Sequence, residues 1–220
     1  MKKQTAKKQT NGEMGLKTLL ASALLLVLIC AVIYLILPKN KDANNSDDRV
    51  APTEFSATCY ADIVIEDYGT ITIGLDANVA PITVENFVSL AESGFYDGLT
   101  FHRIIKNFMM QGGDPQGDGF GSSDNKIFGE FTSNGFTNNM PHTRGAVSMA
   151  RAKDNNSASC QFFIVHQDSP HLDGDYAVFG YVTEGIEIVD QICEDAKPID
   201  KNGTIPSDAQ PVITSITIRK

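Results

Sequence analysis

The sequence predicts a mainly β domain, an antiparallel barrel of seven or eight short strands with two helices over its ends. One transmembrane helix is predicted ahead of it. Three observations carry this. Short runs alternate apolar and polar residues between turn-forming residues at hairpin spacing. Two stretches repeat apolar residues at helical period. Residues 18–37, TLLASALLLVLICAVIYLIL, contain no charge.

Taken in order, the chargeless run is about as long as a helix needs to cross roughly 30 Å of hydrocarbon. A cleaved secretory signal is the alternative, but its apolar region usually spans only about 7–15 residues. No small-x-small cleavage site closes this run, and Ile29 precedes Cys30 where lipoprotein processing needs a small residue. An uncleaved signal-anchor is therefore expected. Lys2, Lys3, Lys7, Lys8 and Lys17 precede it against one acid, Glu13, which keeps residues 1–17 in the cytoplasm and puts the rest outside. Those 17 residues carry a net +4, leaving −13 on the remainder of a chain whose total is −9. So acidic a body excludes nucleic-acid binding, which needs clustered Lys and Arg, and it is repelled by anionic lipid.

Residues 38–57, rich in Asn, Asp and Ser, have too little apolar content to pack and read as a flexible tether. The globular domain is expected over 58–220. ADIVIEDYGTITIGL alternates on both sides of Asp67-Tyr68-Gly69 and predicts a hairpin. PITVENFVSLAESG predicts a short helix, with Pro81 in its first turn, Val84, Phe87, Val88 and Ala91 on one stripe, and Gly94 as its stop. TFHRIIKNFMMQ reads as two strands about a Lys106-Asn107 turn. A long Gly-, Asn-, Ser- and Asp-rich stretch follows over 112–145. GAVSMA, CQFFIVH, AVFGYV and PVITSITI read as further strands, and EGIEIVDQICEDA as the second helix.

The stretch FHRIIKNFMMQGGDP sets an arginine and a glutamine among bulky apolar residues, with no Ser, Cys or carboxylate inside the apolar part. Chemistry there cannot run through a nucleophile. Three long segments resemble the cyclophilin family of peptidyl-prolyl cis–trans isomerases: VENFVSLAESGFYDGLTFHRIIKNFMMQGGDPQGDG, HTRGAVSMARAKDNNSASCQFFIVH and HLDGDYAVFGYVTEGIEIVDQI. They stand in the family's order and spacing and cover roughly residues 60–218. The resemblance implies a closed eight-stranded barrel capped by two helices, and a rotamase that needs no cofactor.

It also implies the site. Arg103 would stabilise the twisted prolyl nitrogen, with Gln111 and Phe108 beside it as catalytic residues. Met109, Phe163 and Leu172 would line the proline pocket, and the backbone of Ala150, Arg151 and Ala152 would hold an extended peptide. Phe108, Met109 and Phe163 read without the resemblance as core. Strand alternation sends Phe162 and Phe163 to opposite faces, and the resemblance gives Phe163 to the pocket. Two positions depart from the best-known eukaryotic members, with His171 for a pocket tryptophan and Tyr176 for a histidine. Activity is expected to survive; cyclosporin is expected to bind weakly.

Expected partners are proline-containing unfolded or newly translocated polypeptides, met outside the cytoplasm in protein folding. The alternative is a cyclophilin-like module that binds proline-containing segments without useful turnover. No metal is expected, since His102, His142, His166 and His171 form no His-x-His or His-x-x-x-His pair. Gly117-x-Gly119-x-Gly121 lacks the Lys-Ser/Thr of a phosphate loop. Cys59, Cys160 and Cys193 cannot all pair within one chain, so free, mostly buried thiols are expected.

Overall fold

Eight strands and two helices follow one another in the computed structural model, which describes residues 55–220. The expected basic tail and membrane span and nearly all of the expected tether lie outside the described residues. The strands are β1 (Cys59–Ile65), β2 (Gly69–Leu75), β3 (Thr100–Ile105), β4 (Met109–Asp114), β5 (Ala146–Met149), β6 (Phe162–Val165), β7 (Val178–Glu184) and β8 (Ile213–Arg219). Helix α1 spans Pro81–Glu92 and α2 spans Ile186–Asp195. All eight strands join one antiparallel sheet in the order β3-β4-β6-β5-β7-β2-β1-β8.

The hairpins form where alternation stops. Asp67 and Asn107 take left-handed backbone (φ 63° in each), a conformation that Asn and Asp tolerate better than other non-glycine residues. Ile63, Ile65, Ile71 and Ile73 then point inward and are fully buried. Helix α1 starts on Pro81, whose missing N–H costs nothing there. It lays Val84, Phe87 and Ala91 into the core, while Thr83 is buried in place of the half-exposed Val88. Phe87, Tyr96, Phe101 and Phe162 meet with ring centroids 5.3–5.9 Å apart, mostly edge to face, the favoured aromatic geometry.

The expected closed barrel is corrected to a half-barrel. Strands β3 and β8 end the sheet, and where they approach, the isolated bridge from Thr100 to Val212, just before β8, is the one strand-like pair. Pro211 lies just before β8 and has no N–H, so its carbonyl accepts from Phe101 without return. Further along, β3 is paired by irregular backbone: Ile104 N–H donates to Gly203 O and Ile205 N–H to His102 O. The edge is thus covered but not closed by a strand.

The long stretch after β4 is pinned to the body. Asn138 donates to Glu130 O and Val178 O at 3.0 and 2.8 Å. Buried Glu130 accepts from Ile82 N–H (3.1 Å), Thr83 N–H (2.8 Å) and the Thr83 hydroxyl (2.7 Å). It caps α1, whose own N-cap residue, Ala80, has no side chain for the task.

Gly113, next to last in β4, has left-handed backbone at φ 80°. A Cβ there would stand 2.8 Å from Cys160 O and 3.0 Å from Tyr96. Gly113→Ala is expected to destabilise the domain by about 2 kcal/mol or more, combining left-handed strain with overpacking. A urea titration followed by circular dichroism reads it.

Candidate active site

Strand register assembles the site. Arg103 on β3 faces Gln111 on β4, Gln111 faces Phe163 on β6, and Phe163 faces Ser148 on β5. The row lies across four neighbouring strands, so its side chains share one face. Met109, two residues before Gln111, lies on that face; Phe108 sits in the turn before it. Phe162 goes to the other face and the main core, while Phe163 clusters with Met109, Leu172 and Val178.

Above this face is a cleft of about 210 Å³ lined by Arg103, Phe108, Met109, Gln111, Ala150, Arg151, Phe163, Leu172 and Tyr176. It is smaller than the roughly 300–1,000 Å³ of drug-sized ligand sites, which suits one ring or side chain. The lining holds no carboxylate, thiol, imidazole or aliphatic hydroxyl. Its chemistry is the two guanidinium cations of Arg103 and Arg151, an amide, the Tyr176 phenol and an apolar wall.

Of the two cations, Arg103 is fixed from the sheet side. Arg103 Nε donates to Asn202 O at 2.8 Å, and Nη1 donates to Gln111 Oε1 at 3.1 Å with Met109 Sδ 3.6 Å away. The guanidinium carbon lies 5.9 Å from the Phe108 ring centre. Half-burial pushes the arginine's pKa down, partly offset by Tyr176 and Asp200. A guanidinium starts so far above neutrality that it stays charged.

Gln111 is oriented from its other end, with Nε2 donating to Gln161 Oε1 at 2.8 Å. Gln161 in turn donates to Gly121 O at 2.8 Å and Gly119 O at 3.2 Å. The amide chain therefore runs from the 119–121 loop to the cation, and it fixes which way the Gln111 oxygen points.

Sequence reasoning missed Gln161, Asn202 and the support behind Phe163. His142 is buried there, its ring stacked on Phe163 at 6.0 Å. Its Nδ1 donates to Asp173 Oδ1 (2.9 Å), leaving Nε2 to accept from the Ser148 hydroxyl (3.1 Å). Asp173 follows the short 3-10 turn Pro170–Leu172, so His142 ties the segment bearing His171 and Leu172 to the sheet.

Not every expected site residue lines this cleft. Ala152 lines a neighbouring one of about 290 Å³, which shares Gln111, Ala150 and Arg151 with the first. His171 is exposed at the rim, its ring 5.5 Å from that of Phe108. Tyr176 meets Phe163 edge to face at 5.9 Å and carries the Arg151 guanidinium 4.7 Å above its ring. The other three histidines are buried at separate places, and among the described residues no His, Cys, Asp or Glu cluster could hold a metal ion.

The family model for cyclophilin-type peptidyl-prolyl cis-trans isomerases matches residues 60–219. The chain belongs to the cyclophilin family. Among its relatives, peptidyl-prolyl cis-trans isomerase B of Bacillus subtilis is 48% identical over 124 residues, 56% of this chain and 83% of that protein. A Helicobacter pylori peptidyl-prolyl cis-trans isomerase is 43% identical over 146 residues, 66% of this chain and 86% of its own. A solved Cryptosporidium parvum cyclophilin-type isomerase, crystallised in the presence of the dipeptide Ala-Pro, superposes with a TM-score of 0.64. It is 30% identical, covering 73% of this chain and 99% of its own. In this chain the cleft carries Tyr176 on its wall and His171 at its rim.

Proposed function

We propose that this cyclophilin accelerates rotation about X–Pro bonds without covalent chemistry, with Arg103 stabilising the twisted prolyl nitrogen. The observation that carries the reading is a cation held on two strands and a loop, in an apolar cleft with no nucleophile or base. Rotation must break amide resonance, a barrier of about 20 kcal/mol. Half-way round, the prolyl nitrogen becomes pyramidal and gains a lone pair. A donor aimed at it binds the twisted state more tightly than either planar one, and only such differential binding lowers the barrier.

In this scheme Phe108, Met109, Phe163 and Leu172 hold the proline ring and exclude water, and Gln111 bonds a substrate carbonyl. The backbone of 150–152 carries the flanking peptide into the neighbouring cleft. A ~10⁵-fold acceleration needs roughly 7 kcal/mol. One charge-assisted bond contributes about 1.5–3 kcal/mol, so desolvation and shape supply the larger share.

The clients in this proposal are newly translocated polypeptides outside the cytoplasm, reached from the membrane through residues 38–57. A coil of that length spans about 25 Å root-mean-square. Protease added to intact cells distinguishes this from a cytoplasmic domain, which it would leave uncut.

The test is isomerisation of an Ala-Pro peptide by the full chain in detergent, read by NMR exchange, with and without cyclosporin. Acceleration over the uncatalysed rate is expected; its absence leaves a peptide-binding module. Cyclosporin is expected to inhibit weakly, and His171→Trp to tighten inhibition by about tenfold, as an added buried aromatic contact of about 1.4 kcal/mol would. Equal inhibition of both proteins removes His171 as the cause.

A further inference from the structure

Phe108 stands in the cleft on a turn with an unusual holder. The turn's Asn107 has left-handed backbone, and its N–H points at a side chain from another strand's end: it donates to His166 Nδ1 at 2.9 Å. The backbone N–H of His166 donates to Phe108 O at 2.8 Å. One residue therefore grips the turn at two successive positions. His166 is itself buried, 5% exposed. Its Nε2 lies 3.2 Å from Asp190 Oδ1 on α2. Asp190 is locked by both terminal nitrogens of Arg144, at 2.6 and 2.8 Å, and Arg144 also donates to His166 O at 3.2 Å.

This arrangement fixes a tautomer. Nδ1 accepts a backbone N–H and so carries no proton; the ring's single proton sits on Nε2, facing the Asp190 carboxylate. Adding a proton to Nδ1 would set two N–H groups against each other at 2.9 Å. The turn, and Phe108 with it, would have to move.

We propose that His166 is the positioning residue of the Phe108 turn and that its protonation releases Phe108 from the cleft, making the site acid-sensitive. The inference rests on the isomerase reading above for its effect on turnover, but not for its structural content.

The charges facing His166 are Asp190 and Glu194 from α2 and Arg144 from the segment before β5. Lys106 on the turn is paired with Glu194 at 2.7 Å. Burial pushes the imidazole's pKa down, against Asp190 pulling it up. A lowered folded-state pKa means the neutral form prevails at pH 7. Its contribution is complete above the ordinary value of about 6.5 and drains away as pH falls through the folded value. His102 and His142 are lowered by burial as well, so a melting curve against pH cannot isolate His166.

Two variants separate the roles. His166→Asn keeps an acceptor oxygen near the Nδ1 position and cannot titrate. His166→Gln keeps a polar group near Nε2 and loses the acceptor. With the full chain in detergent, His166→Asn is expected to stay within about twofold of wild type in kcat/KM at pH 7.5 and to lose the acid decline below pH 6.5. His166→Gln is expected to fall by about tenfold (about 1.4 kcal/mol) at both values. Histidine-selective ¹⁵N spectra should show His166 as the Nε2–H tautomer, and the Phe108 ring signals should shift as it protonates.

An Nδ1–H tautomer, an acid decline unchanged in His166→Asn, or full activity in His166→Gln would each overturn the proposal. If the wild type has no isomerase activity, the isomerase reading fails alone. The tautomer and the coupled Phe108 shift then decide the His166 proposal.

Discussion

Arg103→Ala is expected to lower kcat/KM for an Ala-Pro peptide by about 10²-fold, the usual cost of deleting a donor aimed at transition-state charge. Nε and Nη1 are taken up by Asn202, Met109 and Gln111. Nη2 is outside these bonds and is the donor the proposal assigns to the prolyl nitrogen. The planar substrate offers that nitrogen no lone pair, so ground-state binding should suffer far less. The expected split is a large fall in kcat with less than about tenfold loss of peptide affinity by titration. Arg103→Lys should recover little, because one ammonium nitrogen cannot keep the Asn202 and Gln111 contacts while presenting a third donor. Equal losses in affinity and kcat/KM would instead make Arg103 a uniform binding group.

The largest expected effect on stability is at Glu130. Its carboxylate is fully buried and accepts three donors from the start of α1. Glu130→Ala leaves two backbone N–H groups and a hydroxyl unpaired, and both of the Thr83 donors are buried away from water. At about 1–3 kcal/mol for each unsatisfied group, with some relaxation, the loss is expected to be about 4 kcal/mol. That is a large share of the 5–15 kcal/mol typical of a domain. The chain contains no tryptophan, so urea unfolding is best followed by far-ultraviolet circular dichroism. A loss below 1 kcal/mol would mean that the helix start finds other partners.

Both residues mark how far the sequence could be read. Alternation and turn residues located every strand, because those signals are local. They put Phe162 and Phe163 on opposite faces and Met109 beside Gln111. That Arg103, Phe108 and Gln111 share one cleft came from the family resemblance, since the same residues read locally as ordinary barrel positions. What remained hidden is non-local. Asn202 meets Arg103 across 99 residues of chain, and Gln161 meets Gln111 across 50. A glutamate in a polar loop gives no local sign that it caps a helix 47 residues earlier. The half-barrel had one local clue, Pro211, whose missing N–H prevents a full ladder where β8 approaches β3.

The sheet order also sets a timetable for the protein's own synthesis. Strand β1 is flanked by β2 and by β8, the last strand of the described domain. Asp62 waits for Arg219, 157 residues later, and Arg103 waits for Asn202. At about 5–20 residues per second, one edge of β1 stays unpaired for roughly 8–30 s after it emerges. A protein proposed to assist emerging polypeptides is therefore itself incomplete until β8 is out, with its central cation unanchored for much of that time. Such long-range pairing folds slowly, so through that interval the nascent chain relies on whatever else shields exposed strands.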